Sequence, residues 1–311
     1  MTFGSVSLGG ETQPEPVTFT YKQVGDLMIK ADVHRPATDD VCPVIVWIHG
    51  GALINGHRAG FSSGSSGRVK NRLLGAGYVV VSIDYRLAPE TQLPEIIEDL
   101  EDAMAWVGKD GPKLFGIDGR RIAVMGGSAG GYLTLAAGYR AKSIPQALVS
   151  FWGYGDLVGD WYSKPSLHPR HQGAKLTREE AYAQVSGPPI SDSRDRKGSG
   201  GAFYKYCRQH GHWPKAVSGW DPHRAAKKFH PYMPVKNVTP SYPPTFLIHG
   251  TDDTDVPYEQ SVMMAEQLSK YNVAHRLMTL AGAEHGFGDI DEAKFEAMLD
   301  SIIKFLDQHL Q

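Results

Sequence analysis

The sequence has little of the features that mark several specialised classes of protein. Its 311 residues include only two cysteines, Cys42 and Cys207, and neither belongs to a CxxC pair. Two isolated thiols cannot form a metal framework, so we expect two reduced thiols and no bound metal. Long apolar runs are also missing, since no stretch approaches the ~18 residues that a membrane-spanning helix needs. We therefore expect no membrane partner.

An excess of charge of one sign is missing too. The chain holds 32 Lys and Arg residues against 34 Asp and Glu residues, which gives a formal net charge of −2 at pH 7. Proteins that bind nucleic acid carry a basic patch or stripe. We therefore expect no nucleic-acid partner. Residues 1–13 are polar and glycine-rich, without the basic start and apolar run of a secretory signal, which predicts a cytoplasmic protein.

What is present is an alternation of strand-like and helix-like segments. Short apolar runs are typical of strands that are buried on both faces, and patterns of period 3.6 are typical of amphipathic helices. The alternation predicts an α/β fold, with a mostly parallel sheet flanked by helices. The predicted strands are residues 43–48, 78–83, 121–125, 147–151, 245–248 and 275–280, and the predicted helices are 94–107, 129–139, 258–270 and a last one that contains Phe295 and Leu306.

Two regions depart from this alternation. Residues 17–24 and 27–34 have the pattern of two strands joined by a tight turn, which predicts an antiparallel edge. Residues 153–241 lack a clean buried strand, and a connection of that length often forms a lid or a binding insertion. We therefore expect a cap or lid region at 153–241, inserted into a core made of residues 1–152 and 242–311. The alternative is a peripheral insertion without contact to a substrate.

The strongest motif is the G-x-S-x-G sequence at residues 126–130. It follows the predicted strand 121–125 and opens the helix after it, which is the context of the nucleophile elbow of α/β-hydrolases. Glycines permit the tight turn, and amides at the helix start stabilise developing negative charge. We expect Ser128 to act as a nucleophile. A glycine-rich turn without a catalytic role is the alternative.

A second motif, His-Gly-Gly-Ala at residues 49–52, follows the predicted strand 43–48. Small residues let backbone amides approach a substrate oxygen, and such loops form part of the oxyanion hole. We expect the amides of Gly51, Ala52 and Ala129 to take this role. Ala52 stands where a third glycine is usual, which leaves open whether its amide or only that of Gly51 takes part. We expect His49 to be structural.

The base and the acid are sought in the loops after the last two predicted strands. His285 lies in the sequence GAEHGF, and flanking glycines suit a sharp loop that aims one imidazole inward. The chain order Ser, Asp, His favours His285 as the general base. Asp252, Asp253 and Asp255 compete as the acid that orients the imidazole. We expect the other aspartates to cap the helix that starts near Tyr258.

The block SIDYRLAPE at residues 82–90 resembles the DYRLAPE signature of the hormone-sensitive-lipase-like esterases. The HGG, GGSAGG, HGTDD and GAEHGF segments resemble that group and also the prolyl-oligopeptidase-like esterases, including acetyl and feruloyl esterases. These matches cover roughly residues 40–152 and 242–309. The resemblance implies an α/β-hydrolase fold, and its HG-x-x-D pattern places the acid on Asp253. We do not expect Arg86 or Glu90 to be catalytic.

The motifs and the resemblance imply a serine carboxylic-ester hydrolase, whose acyl-transfer mechanism needs no cofactor. The chain shows no long apolar stripe for a lipid tail, so we expect short-acyl esters as substrates. An amidase or peptidase of the same fold and a silent ligand-binding member are the alternatives. The esterases with HGGG loops usually carry an amino-terminal cap, whereas here the long insertion lies at 153–241, so substrate preferences transfer poorly. Aromatic side chains in or beside this insertion are expected to line the substrate pocket, although packing is the alternative for each. They are Trp152, Tyr154, Trp161 and Trp213.

Overall fold

A computed structural model describes residues 15–310 of the chain, and residues 1–13, which carry the prediction of a cytoplasmic location, lie outside them. The strands are β1 (Val17–Val24), β2 (Leu27–His34), β3 (Cys42–Ile48), β4 (Val79–Ile83), β5 (Ile117–Gly127), β6 (Ala147–Phe151), β7 (Thr245–Gly250) and β8 (His275–Leu280). They form one sheet with the order β1-β2-β4-β3-β5-β6-β7-β8. Strands β3 to β8 run parallel, whereas β2 is antiparallel to both β1 and β4. The predicted α/β class and the antiparallel edge are confirmed.

Helices cover both faces of this sheet. They are α1 (Gly64–Gly75), α2 (Leu93–Lys109), α3 (Gly111–Phe115), α4 (Ala129–Arg140), α5 (Asp160–Ser163), α6 (Arg178–Tyr182), α7 (Gly201–His210), α8 (Trp213–Ser218), α9 (Ala226–Phe229), α10 (Pro234–Asn237), α11 (Glu259–Lys270) and α12 (Glu292–Leu310), with 3₁₀ turns at Arg58–Ser62, Pro169–His171, Ser193–Asp195 and His230–Tyr232. Within residues 15–310, none of these helices combines the length and the apolar character that crossing a membrane needs.

The central strands are buried on both faces, as their apolar runs predict. In β3, Val44, Val46 and Ile48 belong to one hydrophobic cluster, whereas Ile45 and Trp47 belong to a second cluster across the sheet. The alternation follows from the period of two residues in a strand. Helices α2 and α4 pack in the first cluster, and helices α1 and α12 pack in the second. The sheet therefore lies between two apolar layers.

Residues 153–241 contain helices α5 to α10 and no strand. Their buried side chains do not form a core of their own. Tyr154, Phe203 and Trp213 belong to the same hydrophobic cluster as β3, β4 and helix α2. The insertion is therefore packed onto one face of the sheet, and its role as a cap stays a prediction.

The topology places the predicted functional loops together. Strands β3, β5, β6, β7 and β8 are neighbours and run parallel, so their carboxyl ends meet at one edge of the sheet. The HGGA loop follows β3, the serine motif ends β5, the aspartate loop follows β7, and the histidine loop follows β8. In open α/β sheets, ligands bind outside the carboxyl ends of the strands. We therefore expect the functional site at this edge of the sheet.

Candidate active site

Ser128 occupies a sharp bend between strand β5 and helix α4. Its backbone has φ 57° and ψ −120°, a combination that non-glycine residues rarely adopt. The Ser128 amide donates a hydrogen bond to the carbonyl oxygen of Phe151 at 3.0 Å, which ties the bend to β6. A Cβ at Gly130 would collide with the carbonyl oxygen of Ile48, so glycine is required where α4 crosses β3. Backbone strain of this kind concentrates at functional sites.

The HGGA loop lies directly against this bend. A Cβ built on Gly50 would stand 3.3 Å from the Cβ of Ser128, so the two loops are in contact. Gly51 has φ 105° and Ala52 has φ 58°, and the amide of Asn55 donates to the carbonyl oxygen of Gly51 at 2.7 Å. Within residues 15–310, no acceptor takes the amide hydrogen of Gly51 or of Ala52. Both amides are therefore available to a bound group.

The third predicted donor, Ala129, is the first residue of helix α4. The first amides of a helix have no acceptor within the helix, so they remain free for a ligand or for a capping side chain. The side chain of Ser128, which occupies the N-cap position, makes no capping hydrogen bond. The hydroxyl of Ser128 is thus not consumed by the helix that it starts.

The insertion holds the HGGA loop in place. Trp213 donates a hydrogen bond from Nε1 to the carbonyl oxygen of Ala52 at 2.9 Å. Arg196 donates to the carbonyl oxygen of Ile54 and forms a buried ion pair with Glu90. Sequence reasoning gave Trp213 a place on the pocket wall, but it instead supports the loop from behind. Arg196 carries no motif, so sequence reasoning missed it.

The block at residues 82–90 supports the same loop. Tyr85 donates from its hydroxyl to the carbonyl oxygen of His49 at 3.0 Å, and its ring stacks on the imidazole of His49. Burial lowers the pKa of His49 to about 4, so this imidazole is neutral at neutral pH. Arg86 is buried against the carboxylate of Asp99, with Nε 2.8 Å from Oδ2. These contacts agree with the structural roles expected for His49 and Arg86.

His285 and Asp253 form the closest histidine–carboxylate pair of the site. Nδ1 of His285 lies 2.7 Å from Oδ2 of Asp253, whose side chain is fully buried. The other oxygen of Asp253 accepts hydrogen bonds from the amides of Asp255 and Val256, both at 2.8 Å. Burial raises the pKa of Asp253, but hydrogen bonds from His249 and His285 outweigh it and hold the pKa well below its usual range. Asp253 is therefore ionised at neutral pH.

Two residues that hold this pair were missed by sequence reasoning. His249 is fully buried, with Nε2 3.2 Å from Oδ2 of Asp253 and Nδ1 2.7 Å from the hydroxyl of Ser261. Glu284 accepts hydrogen bonds from the amides of Thr254, at 2.7 Å, and His285, at 2.8 Å. It thereby joins the aspartate loop to the histidine loop. His249 belongs to the HGTDD segment and Glu284 to the GAEHGF segment. Membership in these segments was the sequence signal that could have identified both residues.

A cavity of about 470 Å³ brings Ser128 and His285 together. Trp152 lines it and packs edge-on against the imidazole of His285, with 5.6 Å between ring centroids. Within residues 15–310, no hydrogen bond joins the hydroxyl of Ser128 to His285. Such bonds are often long before a substrate binds. The residues that line the cavity also include Gly51, Ala52, His57, Phe61, Tyr204 and Asp255.

Three of the four aromatic residues expected on the pocket wall lie elsewhere. Tyr154 and Trp213 are fully buried, and Tyr162 stacks on Trp213 with 3.9 Å between ring centroids. Trp161 borders a different cavity, of about 450 Å³. The expectation is corrected because these rings pack on one another and on the sheet, as large aromatic side chains do in a core. Only Trp152 keeps the expected position.

Asp255 also departs from its expected role. Helix α11 begins at Glu259, its N-cap residue is Tyr258, and no side chain caps it. Asp255 instead accepts hydrogen bonds from the hydroxyl of Tyr204, at 2.7 Å, and from Nε2 of His171, at 3.0 Å. Helix capping is a local contact, whereas both of these partners come from the distant insertion. The expected cap is therefore replaced by long-range contacts.

Two family models match the chain. The one described as BD-FAE matches residues 31–160, and the prolyl oligopeptidase family model matches residues 189–311. Esterase LipC of Mycobacterium tuberculosis is 30% identical over 271 residues, which cover 86% of this chain and 58% of LipC. Non-reducing polyketide synthase pkbA of Emericella nidulans is 26% identical, over 93% of this chain and 14% of the synthase. The chain thus spans less than two thirds of the length of these relatives.

Solved structures share the fold over nearly the whole chain. Thermogutta terrifontis esterase 2, phosphorylated by paraoxon, superposes with a TM-score of 0.67 at 20% identity and 97% coverage of both chains. The acetyl ester-xyloside bifunctional hydrolase from Caldicellulosiruptor lactoaceticus gives a TM-score of 0.68 at 20% identity, over 95% of this chain and 97% of that one. Identities this low speak for the fold alone. Taken with the family models and LipC, they confirm the predicted resemblance to esterases, and the chain belongs to the α/β-hydrolase fold.

Proposed function

We propose that the chain is a serine carboxylic-ester hydrolase for short-acyl esters, with Ser128 as nucleophile, His285 as general base and Asp253 as orienting acid. One observation carries the proposal. The cavity that Ser128 lines also holds an imidazole bonded to a buried, ionised carboxylate and a loop with unbonded amides. Nucleophile, base, orienting acid and oxyanion donors are the parts that acyl transfer needs.

The proposed reaction has two steps. The hydroxyl oxygen of Ser128 attacks the ester carbonyl carbon while Nε2 of His285 takes the hydroxyl proton. The proton then passes to the leaving alcohol oxygen as the ester C–O bond breaks, and an acyl-serine remains. Water attacks this acyl group and gives a proton to Nε2. The bond between the acyl carbon and the Ser128 oxygen then breaks as Nε2 returns the proton to that oxygen, and the carboxylic acid leaves. Asp253 holds Nδ1 of His285, so that Nε2 faces the reacting atoms.

We assign the oxyanion hole to the amides of Gly51, Ala52 and Ala129. Negative charge develops on the carbonyl oxygen in each tetrahedral intermediate, and preorganised amides stabilise it. The absence of an acceptor for Gly51 and Ala52 within the described residues supports both as donors. Ala52 can serve without a third glycine because it already adopts positive φ. Trp213 then acts as a positioning residue, since it holds the carbonyl of Ala52.

Replacing Trp213 by phenylalanine tests this positioning role. Trp213→Phe keeps an aromatic ring but removes the hydrogen bond to Ala52, so we expect kcat for p-nitrophenyl acetate to fall about tenfold, a fraction of the loss of a whole oxyanion donor. KM should change less than kcat. Trp220→Phe is the matched control, because Trp220 lies in the same insertion and packs on Phe229. An equal kcat in the two variants would argue against the role.

The cavity favours small acyl groups. Trp47, Ser66 and Trp152 line both the Ser128 cavity and an apolar recess of only about 20 Å³ behind it. An acyl chain that extends towards this recess meets a nearly closed wall.

We also assign the insertion at 153–241 to a cap, because Tyr204 from helix α7 lines the cavity.

Hydrolysis of p-nitrophenyl esters of increasing acyl length tests the proposed function directly. We expect kcat/KM to be highest for acetate to butyrate and to fall at least about tenfold by octanoate, since a longer chain must displace packed side chains or move the ester out of its productive position. The release of p-nitrophenolate is the measurement. Turnover that rises with chain length would contradict the acyl limit, and no turnover of any ester would reject the esterase proposal.

An amidase or peptidase is the second candidate, because the prolyl oligopeptidase family model matches residues 189–311. The same nucleophile, base and oxyanion donors serve both reactions. Acetyl p-nitroanilide and p-nitrophenyl acetate form a matched pair that differs only in the leaving atom. A preference for the anilide would select the amidase candidate, whereas a strong preference for the ester supports the proposed function.

A further inference from the structure

Asp255 is an acidic residue beside the catalytic histidine that the proposed mechanism does not use. Its Oδ1 accepts hydrogen bonds from His171 at 3.0 Å and from Tyr204 at 2.7 Å. Its Oδ2 lies 3.9 Å from Nε2 of His285, and Asp255 is one of the residues that line the Ser128 cavity. Within residues 15–310, no donor forms a hydrogen bond to this second oxygen. One carboxylate oxygen is thus occupied, and the other faces the site.

The insertion fixes the orientation of this carboxylate. His171 is held from behind, since its Nδ1 lies 2.9 Å from the hydroxyl of Ser166. Arg208 is buried, with Nη1 4.0 Å from Oδ1 of Asp255 and its guanidinium 4.7 Å from the ring centroid of Tyr162. Hydrogen bonds from His171 and from Tyr204 on helix α7 therefore hold Oδ1, and the guanidinium of Arg208 on the same helix adds a charge contact. Oδ2 cannot turn away from the cavity without breaking these contacts.

Asp255 carries a negative charge at neutral pH. Burial raises the pKa of its carboxyl group, but the hydrogen bond from His171, the electrostatic influence of the His285 imidazole and the charge of Arg208 outweigh burial. The pKa is consequently held well below its usual range. An ionised carboxylate can only accept hydrogen bonds, and it repels other anions at short range.

The position of Oδ2 decides which part of an ester it meets. In the proposed mechanism, Nε2 of His285 gives its proton to the oxygen of the leaving alcohol. A group 3.9 Å from Nε2 is therefore near this oxygen and the carbon atoms next to it.

We infer that Asp255 determines leaving-group specificity by accepting a hydrogen bond from an O–H or N–H donor carried on the carbon next to the ester-bearing carbon of the alcohol. The preferred substrates are then esters of vicinal diols and polyols or of protonated amino alcohols, and leaving groups with a carboxylate are disfavoured. This inference rests on the proposed esterase function. It adds a substrate class to a site whose chemistry is otherwise general.

A series of acetate esters of similar size tests the inference. The series is propyl acetate, 2-hydroxyethyl acetate, 2-(dimethylamino)ethyl acetate, acetylcholine and acetoxyacetate. The amino ester offers a charged N–H donor, acetylcholine offers the charge without the donor, and acetoxyacetate offers an anion. The kcat/KM of each ester, divided by that of propyl acetate for the same enzyme, is the measured quantity, so that changes in general activity cancel.

For the wild-type protein, we expect the hydroxyethyl and dimethylaminoethyl ratios to be about ten or more, as hydrogen bonds to a charged group imply. The acetylcholine ratio should be clearly lower than the dimethylaminoethyl ratio, and the acetoxyacetate ratio should be below one. The comparison of the hydroxyethyl ester with the dimethylaminoethyl ester shows whether a hydroxyl or a protonated amine is the preferred donor. Ratios near one for both donors would overturn the inference, as would acetylcholine matching the amine.

Asp255→Asn removes the charge and keeps the size of the side chain. We expect its amine ratio to fall about tenfold and its acetoxyacetate ratio to rise. Asp252→Asn is the matched control, since Asp252 is an exposed carboxylate of the same loop, and it should keep all four ratios. Unchanged ratios in Asp255→Asn would overturn the inference.

Tyr204→Phe is a second variant in case Asp255→Asn does not fold. It removes one of the hydrogen bonds that orient the carboxylate while the charge remains. Its amine ratio should fall as well, by a smaller factor. If the wild type hydrolyses no ester at all, the proposed function itself fails, whereas hydrolysis without donor preference rejects the role of Asp255 alone.

Discussion

Ser128→Ala should lower kcat for p-nitrophenyl acetate by a factor of about 10⁴ to 10⁶, because no other group of the cavity supplies an activated hydroxyl. The substitution removes one oxygen atom. Ser128 makes no capping hydrogen bond that this change would break. The melting temperature should therefore stay within a few degrees of that of the wild type, and the loss of activity should not come from unfolding.

The measurement compares initial rates of the purified wild type, Ser128→Ala and a control, Ser269→Ala. Ser269 lies on helix α11 and is exposed, and among residues 15–310 its side chain forms a hydrogen bond with His275 alone. A serine-reactive phosphonate should label the wild type and the control at Ser128, and mass spectrometry would locate the label. Residual ester hydrolysis at the wild-type rate in Ser128→Ala, or a label on another residue, would reject Ser128 as the nucleophile. Absence of any label would favour a silent ligand-binding protein.

Asp253→Asn should have the second largest effect, a loss of about 10⁴ in kcat with a smaller change in KM. An asparagine fills the same space but cannot stabilise the cationic imidazole that forms when His285 takes the proton. The side-chain amide can also turn its N–H donor towards Nδ1 of His285, which favours the wrong tautomer of the imidazole. Because Asp253 is buried and accepts hydrogen bonds from two amides and His285, some loss of stability is expected too.

Asp252→Asn is the control for this prediction. Asp252 is exposed, and in the part of the chain that the structure describes its carboxylate accepts a hydrogen bond from the hydroxyl of Thr251 alone. Its kcat should remain within about twofold of the wild type, as substitutions of exposed groups usually have small effects. The assignment of the acid would be wrong if Asp255→Asn lowered kcat for p-nitrophenyl acetate more than Asp253→Asn does. The 2.7 Å contact between Asp253 and His285 would then have no catalytic meaning.

Local patterns predicted most of the sheet. The apolar run at 147–151 corresponds to β6 without any shift, and the helix predicted at 94–107 is found at Leu93–Lys109. Such runs are reliable because a strand buried on both faces must be apolar at nearly every position. Helix α1 (Gly64–Gly75) is the counter-example. It starts with glycine and serine, which are poor helix formers, and it exists because Val69, Leu73 and Leu74 pack against the sheet.

The choice of the orienting acid among the aspartates after β7 is another case that local patterns could not decide. Position in the chain left Asp252, Asp253 and Asp255 as candidates, and a family pattern preferred Asp253. The structure separates them by contact, since Asp253 reaches Nδ1 of His285 while Asp255 turns to the insertion. Residues two positions apart on a loop can point in different directions. Their partners lie tens of residues away, so no local rule could assign them.

The sequence by itself determined the α/β class, the order of the functional loops and the identities of Ser128 and His285 as the residues to examine. These depend on short-range features, namely buried runs, glycine-permitted turns and a motif between a strand and a helix. Only the tertiary structure decided that Trp213 holds the HGGA loop, that Tyr154 is buried, and that Asp255 faces the cavity. The reason is physical: those roles follow from contacts between the insertion at 153–241 and the sheet, and such contacts leave no periodic trace in the chain.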